Sequence, residues 1–466
     1  MSVLAEVQPK LRPLQVWGLV LGAVAFIVPF IVDIPGLEPQ GERMLAIFLL
    51  AIVFWITEAI PLFATATLVI LLEVLLISES GLFASFAGAP TAASVFAAMS
   101  NPVIILFLGG FLIADGAEKY GLDRNLAAVF MKLFKRNSRL LILGMMLITA
   151  VLSMFMSNTA TTAAMFTVVM PLIAAMPTPK AKTALALSIP VAANIGGIGT
   201  PVGTPPNAIA VGALAARGEQ VSFVEWMMIA MPFMLVLLAI AWFVLTRSVP
   251  NEGEVELEMV ADFDQSRNAR IFYVVAGLTI LLWMTEPLHG VSSNIVGFVP
   301  VVLLLAFRVM GGGDIKLLDW PVLWLVAGGI ALGNGVGATG LDAWLLGSFN
   351  WESMPTLMVI AVLTLIGFGM ANVISHSATA NLLIPLGLSF SAVIGIDVVM
   401  LAVILAISTS LGMSMPISTP PNAIAYSTGV VPLKSMAFSG LVIGGVGAAI
   451  LIFVMPWFWE ITGMLG

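Results

Sequence analysis

The chain has no cysteine, two histidines and three tyrosines, and only 9% of its 466 residues carry a charge. The lack of cysteine excludes disulfides and leaves the redox compartment unspecified. So few charges, against 60% hydrophobic residues, exclude a soluble globular chain and fix the class as an all-α polytopic membrane protein. No acidic cluster falls in the apolar runs. A membrane-embedded enzyme would need a nucleophile with a positioned base or a metal-ligand cluster, and two histidines with no cysteine argue against it. A cleavage site is missing as well. Lys10 and Arg12 precede an apolar run from Leu14 to Val32 that is followed by no small-residue motif, so a retained first span is expected. The formal charge of −7 says little about partners, and no nucleic-acid partner is expected. Much of that charge lies in one run, Glu252, Glu254, Glu256, Glu258, Asp262 and Asp264, which reads as a solvated linker.

What is present is a series of apolar runs, near 14–32, 42–57, 60–77, 101–115, 140–156, 160–176, 182–213 and 226–246. After the acidic linker they resume near 270–287, 292–310, 320–334, 355–374, 378–394, 397–430 and 436–458. Two runs are interrupted by the same phrase, Thr204-Pro205-Pro206-Asn207 and Thr419-Pro420-Pro421-Asn422. Adjacent prolines cannot donate backbone hydrogen bonds, and in lipid such a break is tolerated only where the freed backbone faces protein or a water-filled cavity. Each phrase therefore marks a buried polar site.

The second half repeats the first. Trp55-Ile56-Thr57-Glu58 recurs as Trp283-Met284-Thr285-Glu286. Pro102, Gly109-Gly110 and Gly121-Leu122-Asp123 recur as Pro321, Gly328-Gly329 and Gly340-Leu341-Asp342. Ser157-Asn158-Thr159-Ala160-Thr161 corresponds to Ser375-His376-Ser377-Ala378-Thr379, and the proline phrases follow in the same order. The expected organisation is an N-terminal segment with an extra span (1–41), repeat 1 (42–246), a cytoplasmic linker (247–269) and repeat 2 (270–466).

The placement of Lys and Arg sets the orientation. Lys119, Arg124, Lys132, Lys135, Arg136 and Arg139 put 116–139 in the cytoplasmic interface, as an amphipathic helix. Its counterpart, 335–354, has no basic residue and is expected outside. The pair of runs around Ser157-Asn158-Thr159 is flanked by Arg139 and by Lys180 and Lys182, which predicts a hairpin over 140–176 that enters and leaves on the cytoplasmic side. The mirror hairpin, 355–394, would enter from outside. Broken helices are expected over 182–213 and 397–430. This gives eleven spans, five per repeat, with the N-terminus inside and the C-terminus outside. Of the basic residues, only Arg43 and Arg217 then fall outside. An odd span count inverts the repeats, a pattern typical of secondary transporters with a site near the midplane.

No Lys or Arg lies in a predicted span interior or hairpin tip. Hydroxyls, amides and glycines gather there instead: Ser153, Ser157, Asn158, Thr159 and Thr161 at the first tip, and Gly199, Gly203, Thr204 and Asn207 at the first break. Oxygens of this kind replace the hydration shell of a small hard cation, while helix N-termini and hydroxyl or amide donors hold carboxylate oxygens. An anion bound in apolar surroundings needs a compensating charge, which a co-bound cation supplies. Scattered glycines such as Gly109, Gly144, Gly444 and Gly447 read as helix packing.

A Ser-Asn-Thr tip followed by a helix broken at Thr-Pro-Pro-Asn, both duplicated, resembles the divalent-anion/sodium symporter family over essentially the whole chain. That resemblance implies a homodimer in a lipid bilayer, with a transport domain moving in an elevator-like cycle against a dimerising scaffold. It also implies Na+ as coupling ion and small dianions such as succinate, other dicarboxylates, citrate or sulfate as substrate. Carried over by motif, one sodium site would use Ser153, Ser157, Asn158 and Gly203. Substrate carboxylates would meet Asn158, Thr159, Thr204 and Pro205 from one side, and His376, Ser377, Thr419 and Pro420 from the other. A second sodium site would use Ala371, Ile374, His376 and Ser418, with backbone carbonyls at several of them.

That second site departs from the family pattern. Ser153 is matched by Ala371, and Asn158 by His376. Neutral imidazole has no oxygen and imidazolium has no acceptor, so sodium there is in doubt. Either His376 carries the compensating positive charge itself, or it is neutral and backbone oxygens keep the ion. His289, near Glu286, is read as incidental, and Glu58 and Glu286 as capping or interfacial. The leading expectation is a sodium-coupled C4-dicarboxylate symporter in a bacterial inner membrane. Proton-linked symport or dicarboxylate exchange through His376 is the alternative, and a passive anion channel follows behind both.

Overall fold

The computed structural model describes residues 12–134, 137–250, 261–347, 354–391 and 395–465. Lys10, Lys135, Arg136 and the acidic residues Glu252, Glu254, Glu256 and Glu258 lie outside them, as do parts of the expected 335–354 loop and 355–394 hairpin.

The described chain is helical throughout. It begins with α1 (Pro13–Ile27), α2 (Pro39–Thr57), α3 (Leu62–Leu76), α4 (Ala92–Phe96), α5 (Pro102–Lys119) and α6 (Leu122–Met131). Then come α7 (Ser138–Phe155), α8 (Asn158–Ala175), α9 (Pro179–Gly197), α10 (Pro205–Ala216), α11 (Phe223–Thr246) and α12 (Arg267–Met284). Four short pieces, α13 (Glu286–His289), α14 (Ser293–Val296), α15 (Phe298–Ala306) and α16 (Gly312–Leu317), lead into α17 (Trp320–Ala338) and α18 (Leu341–Gly347). The chain continues through α19 (Thr356–Val373), α20 (His376–Ser389), α21 (Val398–Ser410), α22 (Pro420–Ser427), α23 (Leu433–Phe453) and α24 (Met455–Thr462). Among the described residues nine helices are long and apolar enough to cross a membrane, and α3, α10, α14–α15 and α21 are shorter apolar helices. The protein is an all-helical, multi-pass membrane protein.

Helix ends follow local chemistry. Ser157 and Ser375 stand at matching N-caps, where their hydroxyls accept the N–H of Ala160 at 3.1 Å and of Ala378 at 3.2 Å. Such a cap satisfies one of the orphan donors at the start of α8 and of α20, so each pair of helices turns within two residues, 156–157 and 374–375. The prolines do something other than expected. Pro205-Pro206 and Pro420-Pro421 occupy the first positions of α10 and α22, where a missing N–H leaves no hydrogen bond unmade. The breaks are made just before them, by the stretches 198–204 and 411–419, which are rich in glycine, serine and threonine.

The basic stretch also differs from a single helix over 116–139. α5 runs on to Lys119, Gly121 turns the chain in the left-handed region at φ 62°, and α6 ends at Met131. Lys119 Nζ pairs with Asp314 at 2.9 Å and also donates to Val309 O at 3.2 Å, which fastens the end of α5 to the segment before α17. Burial pushes the Asp314 carboxyl up, but its bonds from Lys119 and from the Gly311 N–H prevail and hold it below the usual carboxylate range.

Buried tryptophans tie distant helices through their indole N–H groups: Trp226 to Ile198 O at 3.1 Å, Trp283 to Ser293 O at 3.0 Å and Trp459 to Ile229 O at 3.0 Å. Phe223 stacks on Trp283 at 4.7 Å, joining α11 to α12 across the acidic linker. Of the glycines read as packing residues, Gly109 abuts the backbone of Gly297, and Gly144 abuts the ring of Phe134. The two halves also interlock: α10 packs against α20 and α21, while α22 packs against α8 and α9.

Candidate functional site

The two helix turns and the two breaks converge on one cavity of about 150 Å³. Every residue expected to meet substrate lines it: Asn158, Thr159, Thr204 and Pro205 from the first half, with His376, Ser377, Thr419 and Pro420 from the second. Phe107 and Phe111 of α5, and Asp319 and Val322 at the start of α17, form the remaining wall.

In the first half, the Asn158 amide faces Ser153 Oγ at 2.6 Å, Gly203 O at 3.1 Å and Ala193 O at 3.1 Å. Ser153 Oγ also donates to Ala193 O at 2.9 Å. Turned with its nitrogen inward, the amide has these three oxygens in reach of its two N–H donors. Turned with its oxygen inward, it completes a group of four converging oxygens, the donor set of a small hard cation. Ser153, Asn158 and Gly203 of the expected sodium site are thus brought together. Ser157 lines the cavity, and its hydroxyl caps α8. A side chain at Gly203 would meet Gly197 O at 2.5 Å, so this approach of backbone to backbone requires glycine.

The unwound stretch is held by Asn207, whose Nδ2 donates to Gly197 O at 3.0 Å, Ile198 O at 3.2 Å and Thr200 O at 2.8 Å. The second half copies this with one change. Asn422 Nδ2 donates to Met413 O at 2.8 Å and Met415 O at 3.1 Å, the counterparts of Ile198 O and Thr200 O. Gly412 O, the counterpart of Gly197 O, is taken by His376 Nε2 at 2.5 Å. A carbonyl only accepts, so Nε2 carries a proton.

The second expected sodium site has fewer side-chain oxygens than the first. Ala371 and Ile374 are buried and could bring only backbone oxygens, and the imidazole N–H points at Gly412 O. Ser418 Oγ donates to Asn372 O at 3.3 Å. His289 lies apart from the cavity, exposed, with Nε2 donating to Leu282 O at 2.9 Å. Glu58 is the left-handed C-cap of α2, and Glu286 opens α13 and accepts the Phe223 N–H at 3.4 Å.

Sequence reasoning missed two residues here. Asn194, buried in α9, donates Nδ2–H to Asn422 Oδ1 at 3.2 Å and accepts from Thr419 Oγ1 at 3.2 Å, joining the two breaks. The signal was a lone amide in a long apolar run. Asp319 was hidden because an acid just before a helix reads as a cap. Asn194 also separates the paired threonines. The Thr419 hydroxyl proton is committed to Asn194, whereas the Thr204 hydroxyl, on the same cavity, has no hydrogen-bond partner among the described residues.

The likeness to known proteins extends over nearly the whole chain. The description "Sodium:sulfate symporter transmembrane region" matches residues 14–465. The sodium-dependent dicarboxylate transporter SdcS of Staphylococcus saprophyticus is 28% identical over 481 residues, covering 95% of this chain and 91% of the relative. SdcS of Staphylococcus aureus is 30% identical over 483 residues, with 95% and 90% covered. Among solved structures, MtrF of Neisseria gonorrhoeae, titled as illuminating a class of antimetabolite efflux pumps, aligns with a TM-score of 0.51 at 11% identity. That alignment covers 96% of this chain and 95% of MtrF, and it bears on the fold alone.

Proposed function

The chain belongs to the sodium:sulfate symporter family, and from that premise we propose that it is a sodium-coupled symporter of C4-dicarboxylates such as succinate, working by alternating access. The observation that carries this reading is the cavity on which both tips and both breaks meet, with the Asn158 amide at its edge facing three further oxygens. Sodium enters among Ser153, Ser157, Asn158 and Gly203 and turns the Asn158 oxygen inward. The amide nitrogen then faces the cavity as a donor for a carboxylate, beside Thr159, the Thr204 hydroxyl and the start of α10. A carboxylate at the far end of the substrate meets Ser377, Thr419 and the start of α22. In this way the ion prepares the donor that the anion needs, and the two bind together. The 28–30% identical relatives named as sodium-dependent dicarboxylate transporters support the choice of ion and substrate class.

On this reading the two halves are inverted repeats with re-entrant hairpins, and the hairpins and broken helices move as an elevator against a scaffold. The scaffold pairs with a second copy in a bacterial inner membrane, with the N-terminus inside and the C-terminus outside. The His376 contact with Gly412 O favours a second reading within the same class, in which the second cation place is filled by the imidazole and coupling there is to protons or to a counter-substrate.

Uptake of labelled succinate into proteoliposomes, under imposed sodium, proton and counter-substrate gradients, tests both. The leading reading expects uptake driven by inward sodium. Transport indifferent to sodium, yet driven by protons or by internal succinate, would replace it with the second reading. Channel-like conductance in planar bilayers would remove both.

A further inference from the structure

The wall of the cavity contains one residue of the wrong sign for an anion site. Asp319 stands at the N-cap position of α17, where its backbone oxygen accepts the Val322 N–H at 3.1 Å. The residue is exposed, and with Val322 one turn further on it lines the cavity that also holds Asn158, Thr204, Ser377 and Thr419. Among the described residues no Lys or Arg lies on that lining to neutralise it. Lys119, on the same face, is paired with Asp314 at 2.9 Å.

The position of Asp319 also gives the cavity a direction. Asp319 follows α16 and its ion pair to Lys119, at the end where α5 and α6 carry Lys119, Arg124 and Lys132, the face expected in the cytoplasm. α10 starts at the cavity with Pro205 and ends about 18 Å away at 1.5 Å per residue. There a separate cavity of about 420 Å³ is lined by Arg217, Asn334 and Asp342. The anion site is therefore bordered by a carboxylate on its basic, cytoplasmic side and has a guanidinium only at the far end of the helix.

Resting on the proposed dianion transport, we propose that Asp319 is a release residue: in this conformation its carboxylate repels the bound dianion and lowers the affinity of the site on the cytoplasmic side. Neutral donors hold the substrate, and a fixed charge outside their ring opposes it without removing any of them. At an effective dielectric of about 20, one unit charge several ångströms from a dianion shifts affinity on the order of tenfold or more. Unloading into a cytoplasm rich in the same anion then does not depend on weak donors alone.

The test measures half-saturation for succinate from each side, in right-side-out and inside-out membrane vesicles, for wild type, Asp319→Asn and Asp319→Glu. Asparagine keeps the size and the capping ability of the residue and removes the charge. Asp319→Asn is expected to lower the cytoplasmic-side half-saturation constant about tenfold, equal to about 1.4 kcal/mol. Net uptake at saturating external succinate should slow, and the external constant should stay the same, while Asp319→Glu behaves as wild type. Equal constants on the cytoplasmic side in wild type and Asp319→Asn would overturn the proposal, as would equal behaviour of the Asn and Glu variants. Asp319→Ser, also a capping residue, replaces Asn if that variant fails to insert. Sulfate is run in parallel: if only sulfate is transported, the choice of succinate fails and the release role is still decided with sulfate. A wild type that moves neither dianion overturns both.

Discussion

The two halves of the binding cavity are built from the same parts and finished differently. Around Asn158, an amide, a serine hydroxyl and two carbonyls converge, and an amide can present either its nitrogen or its oxygen to them. Around His376, the serine has become Ala371 and a ring N–H is bonded to Gly412 O. One half gathers four oxygens when its amide oxygen is turned inward. The other places a proton-bearing nitrogen where its twin has an amide able to turn. The difference is that one side offers an amide that can turn, and the other a ring already bonded to a carbonyl.

The comparison breaks most severely at Asn158. Asn158→Ala removes a group that both the ion and the substrate use, so succinate uptake is expected to fall roughly a hundredfold, with sodium half-saturation raised as well. Initial rates over a grid of sodium and succinate concentrations measure both. A loss of succinate affinity with sodium activation intact would assign Asn158 to the anion alone. A smaller effect separates the paired threonines. Thr204→Val is expected to raise succinate half-saturation about tenfold, because that hydroxyl is free to donate, and Thr419→Val about threefold or less, because its proton already goes to Asn194. Equal effects would mean that the Asn194 bond does not persist when substrate binds.

Much of this site was legible in the sequence because its markers are local. A serine cap and a double proline act within one turn of chain, so their duplication could be seen without a structure. The expected substrate residues therefore fall on one cavity. Less legible was whatever depends on distant partners. Asn194 acquires its role from Thr419 and Asn422, more than two hundred residues away, and Asp319 faces the cavity only because α17 packs beside the tips. The role of the prolines was misjudged for a related reason. Proline at the first turn of a helix and proline in its interior look alike in sequence, and only the course of the backbone through 198–204 shows that the break precedes them. Charge in the basic stretch predicts a side of the membrane but not the turn at Gly121.

The inequality of the halves can be measured directly as the sodium activation of succinate uptake, at several pH values, in wild type and in His376→Asn. Restoring asparagine is expected to steepen the sodium dependence, since an amide oxygen becomes available to a second ion, and to remove any part of the pH profile that the ring carries. Identical sodium and pH dependence in the two proteins would contradict it and return His376 to a purely structural bond with Gly412.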